Sequence, residues 1–275
     1  MVKVNGISLL REAQTHNYIV PGFNVSSIQM AKVVLEGAKQ ANSPIFLQTN
    51  PININNINAN GGNIKELNEL VNLHPLPVAL HLDHAKKLIM FKSALMNNYS
   101  SFMADYSEYT LEKNIKLTIN VKNKFTLSKF GFEAELGIVG GQSELIKKGE
   151  IVKNLYTDPE EATYFIKKTN VNSLAISIGS MHGIAGKINK VILKEINNKV
   201  NIPLVVHGGS GLNAEHFLLL NKHGIKKINF GTALHKIFYN NNQSKKMINL
   251  ANINSLKKFV IKICNELNSN RNDYK

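Results

Sequence analysis

Short apolar runs and longer stretches of helical spacing take turns along this chain. Residues 18–24, 44–48, 77–84, 101–105, 131–136, 173–179, 202–208 and 227–232 are each brief and rich in branched or aromatic side chains. Polar residues, Gly or Pro bound them, and all eight read as strands. Residues 7–17, 63–73, 86–98 and 111–124 read as helices. So does the stretch after Ser26, where Ile28, Val33, Val34, Leu35 and Ala38 share helical spacing and Ser26 stands as the cap. Thr157-Asp158-Pro159-Glu160 opens a further helix with Thr157 or Asp158 as its cap. The asparagine-rich residues 53–58 read as a loop, and the chain beyond 232 reads as helical with a polar break at 240–244. Residues 137–156, with Gly140-Gly141, form the longest stretch without periodicity and are expected to be a loop over a site.

Eight strands alternating with helices imply parallel βαβ units. Closed into a ring they make a (β/α)8 TIM barrel, an α/β fold; an open doubly wound sheet is the alternative. No internal repeat or linker divides the 275 residues, so 1–275 is read as one barrel domain.

The polar residues that punctuate this pattern are not scattered. Asn24, Asp83, His84, Asp105, Glu135, His182, His207 and Asn229 all fall at or just after the C-terminal end of a predicted strand, the end where barrels carry their chemistry. The tetrapeptide His81-Leu82-Asp83-His84 sets an acid beside an imidazole. Alternation sends Asp83 and His84 to opposite faces unless the chain turns between them. Glu133 and Glu135 share a face at strand spacing.

Composition narrows the setting. The single cysteine, Cys264, excludes an internal disulfide and reads as a buried residue of a late helix. The first residues lack a signal-peptide core and no 18-residue apolar run occurs, so a soluble, cytoplasmic protein with no membrane partner is expected. The formal net charge is +14, yet Arg11 and Arg271 are the only arginines and the lysines are dispersed. Bidentate readout of bases and phosphates favours arginine, which argues against nucleic acid as the partner.

Three histidines, His84, His182 and His207, follow strand ends and would meet on one face of a barrel. Three imidazoles with a fourth position open are a catalytic zinc arrangement. The other histidines lie in predicted helices, loops or strand interiors, and His81 reads as packed or supporting. Glycine gives a second signal. Ser180-Met181-His182-Gly183 and His207-Gly208-Gly209-Ser210-Gly211 each join a histidine to a flexible backbone, and Asn229-Phe230-Gly231-Thr232 follows the last strand. Backbone N–H groups in such turns bind phosphate, and the loops after the last two strands are the usual phosphate site of a barrel. A phosphorylated substrate is expected.

These motifs together resemble those of the class II, zinc-dependent ketose-bisphosphate aldolases, with the tagatose-type branch closest. The match runs through Pro21-Gly22-Phe23-Asn24, His81-Leu82-Asp83-His84, Met103-Ala104-Asp105 with Ser107, Glu133-Ala134-Glu135-Leu136-Gly137 and Gly140-Gly141. It continues through Tyr156-Thr157-Asp158-Pro159, Ile178 to Gly183, His207 to Gly211 and Lys227-Ile228-Asn229. The resemblance implies reversible cleavage of fructose or tagatose 1,6-bisphosphate through a zinc-stabilised enediolate. His84, His182 and His207 would bind the catalytic zinc, and Asp105 and Glu135 would match a second or alternate metal position. Asp83 would be the proton donor and acceptor. Asn24, Gly183, Gly208, Gly209, Ser210, Asn229, Phe230, Gly231 and Thr232 would hold substrate, with a monovalent cation nearby. The resemblance also implies a homodimer or homotetramer, and in the tagatose-type branch it admits a non-identical accessory subunit.

Some positions depart from the family pattern. Tyr106 stands where a small residue is usual, Glu108 replaces a histidine, Ser143 precedes Glu144 where two acids are usual, and Ala233 replaces an acid. They bear on the second metal position, the loop and the cation site. The alternative they leave is a catalytically weakened homologue acting as an accessory or binding subunit.

Overall fold

Eight parallel strands hydrogen-bond in strict chain order and close on themselves in a computed structural model that describes residues 3–137, 156–180, 187–239 and 249–271. They are β1 (Val20–Asn24), β2 (Ile45–Thr49), β3 (Val78–Ala85), β4 (Ser101–Ala104), β5 (Phe132–Leu136), β6 (Ser173–Ile176), β7 (Leu204–Val206) and β8 (Ile225–Phe230). β8 returns to pair with β1, with Val20 opposite Lys227 and Gly22 opposite Asn229, so the expected TIM barrel is the fold and the open sheet is excluded.

Helices cover the outside. They are α1 (Gly6–Thr15), α2 (Ile28–Gln40), α3 (Pro51–Ala59), α4 (Ile64–Leu73), α5 (Leu88–Met96), α6 (Leu111–Phe125), α7 (Pro159–Thr169), α8 (Lys190–Lys199), α9 (Ala214–Lys222), α10 (Thr232–Tyr239) and α11 (Leu250–Glu266). With helices outside and side chains inside, nearly every strand residue is buried, which is why the strands read as almost continuous apolar runs. The main core lies between strands and helices, and Cys264 is buried there. Among the described residues no helix is long and apolar enough to cross a membrane.

The asparagine-rich stretch is a helix, not a loop. Asn50 and Asn53 close a reciprocal capping box around Pro51 at the first turn, and Ile57 anchors the helix in the core. The cap and the anchor outweigh the low helix propensity of asparagine. Ser27 rather than Ser26 caps α2, accepting from Met30 N, while the Ser26 hydroxyl lies beside His235 and Tyr239. Asp158 caps α7, and Thr157 instead donates to Leu136 O and accepts from Ser177 N. Most of the stretch expected to form a loop at 137–156 lies outside the described residues.

The two ends of the barrel are closed differently. α1 carries Leu9, Leu10 and Ala13, which pack with Tyr18, Val20, Phe46 and Ala79 at the N-terminal end of the strands. Inside, Met103, Ala175 and Val205 form a small apolar layer. The opposite end of the strands carries the polar residues.

Candidate active site

β3 runs past its neighbour by one residue. Leu82 is opposite Phe102 in β4, but Ala85 rather than His84 is opposite Ala104, and the His84 backbone lies in the left-handed region at φ 46°. The bulge is the turn that strict alternation lacked. It re-aims the strand so that Asp83 and His84 both join groups at the C-terminal mouth.

Asp83 is held by amides. Asn24 Nδ2 donates to Asp83 Oδ2 at 2.7 Å, Asn229 Nδ2 donates to Oδ1 at 3.4 Å, and Gln48 Nε2 orients Asn24 through Oδ1 at 3.0 Å. Gly22 makes room for this ring, because a Cβ there would stand 2.4 Å from Gln48 Oε1 and 2.7 Å from Asn229 Oδ1. Burial would raise the Asp83 pKa, but the His84 and His207 imidazoles outweigh it and the net shift is downward. Asp83 is therefore a buried carboxylate, able to accept a proton.

The two imidazoles meet edge to face, with ring centroids 4.6 Å apart and His84 Nε2 3.0 Å from His207 Nδ1. A carboxylate engages each ring from behind. Asp105 Oδ2 lies 2.9 Å from His84 Nδ1, and Glu133 Oε1 lies 3.2 Å from His207 Nε2. Ser107 donates to Asp105 Oδ1 through its backbone N–H and its hydroxyl, and the hydroxyl also lies 3.3 Å from Glu135 Oε1. Glu135 Oε2 is buried with no hydrogen bond from the described residues, 3.7 Å from His84 Nδ1 and 3.6 Å from His207 Nδ1.

Each titration follows from these contacts. Burial lowers the His84 pKa, but the charge of Asp83 and the hydrogen bond to Asp105 raise it to about 10 overall. Burial pulls His207 down. Burial, then the charge of Asp105, pushes the Glu135 carboxyl well above its usual range. Glu133 is depressed despite burial because the Lys227 ammonium stands 2.7 Å from its Oε2. Burial and Lys227 bring His81 down to about 3.

This donor set fits a divalent cation. Both outer ring nitrogens are engaged by carboxylates, so the 3.0 Å between His84 Nε2 and His207 Nδ1 must be bridged by a proton or a cation. Beside it lies the Glu135 carboxyl, whose Oε2 has no hydrogen-bond partner among the described residues and whose pKa is raised first by burial and then by the charge of Asp105. Among the described residues two groups have ligand atoms within 4.8 Å of one another: Asp83, His84 and His207, and His84, Asp105 and Glu135. Tyr106 does not displace Asp105 from that second group; it is buried, with its ring 6.5 Å from Tyr109, and Glu108 pairs with Lys86 at 3.1 Å.

His182 and Gly183 lie outside the described residues, as do Gly140, Gly141, Ser143 and Glu144. After β7, Gly208 has φ 77° and leads into a 3-10 turn over Gly209–Gly211. Ser210 Oγ accepts from Ala233 N at 3.1 Å, which ties that turn to the start of α10 at Thr232. A Cβ on Gly231 would face Asn24 at 3.6 Å, so this turn borders the Asp83 ring. The Phe230 ring is buried against Phe23, Phe217 and Phe259 and lies under the turn, where a Cβ on Gly209 would stand 2.9 Å from its Cε1.

Gln48, Glu133 and Lys227 were not singled out from the sequence as site residues. For the last two, spacing carries a signal. Glu133 and Lys227 each sit two residues before a residue that was singled out, Glu135 and Asn229, and so share its inward face.

A family model described as fructose-bisphosphate aldolase, class II, matches residues 4–272. The fold recurs in the YdjI aldolase of Escherichia coli K12, with TM-score 0.82, 24% identity and 100% of both chains covered. It recurs in a protein of Coccidioides immitis, with TM-score 0.86, 24% identity and 98% of both chains covered. The fructose-bisphosphate aldolase of Campylobacter jejuni matches with TM-score 0.75 and 22% identity, covering 98% of this chain and 96% of that one. At these identities the likeness carries the fold alone.

Proposed function

The chain belongs to the class II fructose-bisphosphate aldolase family, and from that premise we propose that it reversibly cleaves a ketose 1,6-bisphosphate, fructose or tagatose, to dihydroxyacetone phosphate and glyceraldehyde 3-phosphate. The observation that carries this reading is the buried Asp83 carboxylate, gripped by Asn24 and Asn229 beside the His84–His207 pair.

His84, His207 and His182 would hold a catalytic zinc, and Asp105 with Glu135 would offer a second or alternate position. A zinc ion so held supplies Lewis-acid polarisation of the substrate ketone. In cleavage, Asp83 takes the proton from the C4 hydroxyl as the C3–C4 bond breaks, and in condensation it returns that proton. Asn24 and Asn229 keep the carboxylate aimed while it changes charge, and Gln48 keeps Asn24 from rotating. The turns at Gly183, at Gly208, Gly209 and Ser210, and from Asn229 to Thr232, with only the backbone of Phe230 available, would grip phosphate through N–H groups, with a monovalent cation alongside. No lysine Schiff base is needed. A homodimer or homotetramer is the assembly this reading favours.

The test is an aldol-cleavage assay on both sugars with and without a chelator. Activity should vanish on chelation and return with zinc, and the sugar cleaved faster identifies the C4 configuration accepted. Activity that persists after zinc removal contradicts the reading, and so does an inert metal-loaded protein.

A further inference from the structure

Below the mouth a lysine lies inside the barrel, fully buried, and the proposed chemistry makes no use of its charge. Lys227 Nζ donates to Glu133 Oε2 at 2.7 Å and to His81 Nε2 at 3.2 Å, and it lies 4.9 Å from the centroid of the Phe46 ring. An ammonium has only donors, so both partners must accept. His81 therefore carries its proton on Nδ1 and donates to Ser101 Oγ at 2.7 Å, and Ser101 passes its own proton toward Gly131 O at 3.4 Å. On the other side Glu133, which takes the ammonium on Oε2, accepts from His207 Nε2 on Oε1 at 3.2 Å. Every hydrogen bond in the chain then has one direction, and Lys227 sets it.

The consequence falls on His207. With its proton on Nε2, its Nδ1 lone pair faces His84 and the mouth. The opposite tautomer would set a lone pair against the Glu133 carboxylate and present an N–H where a ligand nitrogen is wanted. We propose that Lys227 is a positioning residue which, through Glu133, fixes the tautomer of His207 and so sets the metal affinity of the mouth, a role that rests on the metal-dependent reading above. Carboxylates that orient a ligating imidazole in this way typically matter by roughly 10–100-fold in metal affinity. The added element is a buried ammonium 2.7 Å from the carboxylate's other oxygen, which aims it. Lys227 stands one contact removed from the His207 ring, behind Glu133.

Lys227→Met alone leaves Glu133 buried without its partner, so the informative variant is the pair Lys227→Met with Glu133→Gln, which removes both charges together. The protein is stripped with a chelator and titrated with Zn2+ in competition with an indicator, then loaded with Co2+ for its visible spectrum. The expected result is a folded paired variant that binds zinc roughly 10–100-fold more weakly and shows an altered cobalt spectrum. Wild-type affinity together with a wild-type spectrum in that variant overturns the proposal. Should the pair not fold, nitrogen-15 shifts of labelled histidine in the zinc-loaded wild type decide. A His207 protonated at Nε2 supports the proposal, and one protonated at Nδ1 overturns it. Wild-type protein that binds zinc and cobalt but cleaves neither bisphosphate sinks the aldolase assignment, while the affinity and the spectrum still judge Lys227.

Discussion

The same strands build two unlike ends of one barrel. At the N-terminal end β1 contributes Val20, β2 Phe46 and β3 Ala79, all packed under Leu9, Leu10 and Ala13 of α1. Two or four residues further along, the inward positions of those strands are Gly22 and Asn24, Gln48, and His81 and Asp83. Met103 leads to Asp105, and Val205 leads to His207, by the same step of two. Depth along the strand thus decides the chemistry. The closed end is neutral, apolar and shielded by a helix, so its residues contribute stability through burial. At the mouth, carboxylates and imidazoles stand close enough to raise one carboxyl and one imidazole and to lower another carboxyl. Lys227, Glu133 and His81 lie between, a charged layer where a barrel usually places branched apolar side chains.

This contrast predicts which changes should affect rate and which stability. The largest effect belongs to the mouth. Asp83→Ala should keep its zinc and lose turnover by roughly 10²–10⁴-fold, the usual worth of a general acid–base. Metal analysis beside the cleavage assay checks it, and zinc lost along with activity would mean that Asp83 has been given the wrong role. At the closed end, Leu10→Ala should cost about 2–5 kcal/mol in denaturant unfolding while kcat/KM stays near wild type wherever the protein is folded. A matching drop in kcat/KM would join the two ends that the structure keeps apart. Gly22→Ala acts between these extremes. Its methyl group presses on Gln48 and Asn229, so about 1–3 kcal/mol of stability should go, and turnover should fall without loss of zinc. Unchanged turnover would show that the amide ring does not aim Asp83.

The smallest effect is a pH dependence at the mouth. His84 is raised to about 10 in the folded protein against 6.5 for an ordinary imidazole. A raised basic group binds its proton more tightly when folded. Its contribution is complete below about 6.5, declines as pH rises and is gone above about 10. Thermal unfolding of chelator-treated protein should therefore show wild type losing stability relative to His84→Asn across that window. Parallel curves for the two proteins would remove the assigned shift.

Much of this is legible in the sequence itself. Strand runs and helical spacing place all eight strands and most helices, because burial on both faces leaves strands apolar and one buried face leaves helices periodic. The asparagine-rich helix was not legible. Residue propensity pointed to a loop, and only the Asn50–Asn53 capping box and the Ile57 anchor reverse it. At the mouth, Asp83, His84, Asp105, Glu135, His207, Asn24 and Asn229 were identified from strand ends and motifs, and the described structure brings them together. Whether Asp83 and His84 share a face is left open by the sequence, since alternation separates them unless the chain turns, and a bulge with a left-handed residue supplies that turn. The charge pair that Lys227 makes is hidden for another reason. A lysine in an apolar run ordinarily marks a solvent-facing position, and its partner Glu133 lies 94 residues away. Only ring closure makes them neighbours.

On the proposed function, the facing rings of His84 and His207 are two walls of a metal site on which the proton chemistry of Asp83 depends. Anomalous diffraction at the zinc edge from zinc-loaded crystals tests it most directly. The account predicts a peak between the His84 and His207 rings; zinc-loaded crystals with those rings still in direct hydrogen-bond contact and the peak elsewhere would contradict it.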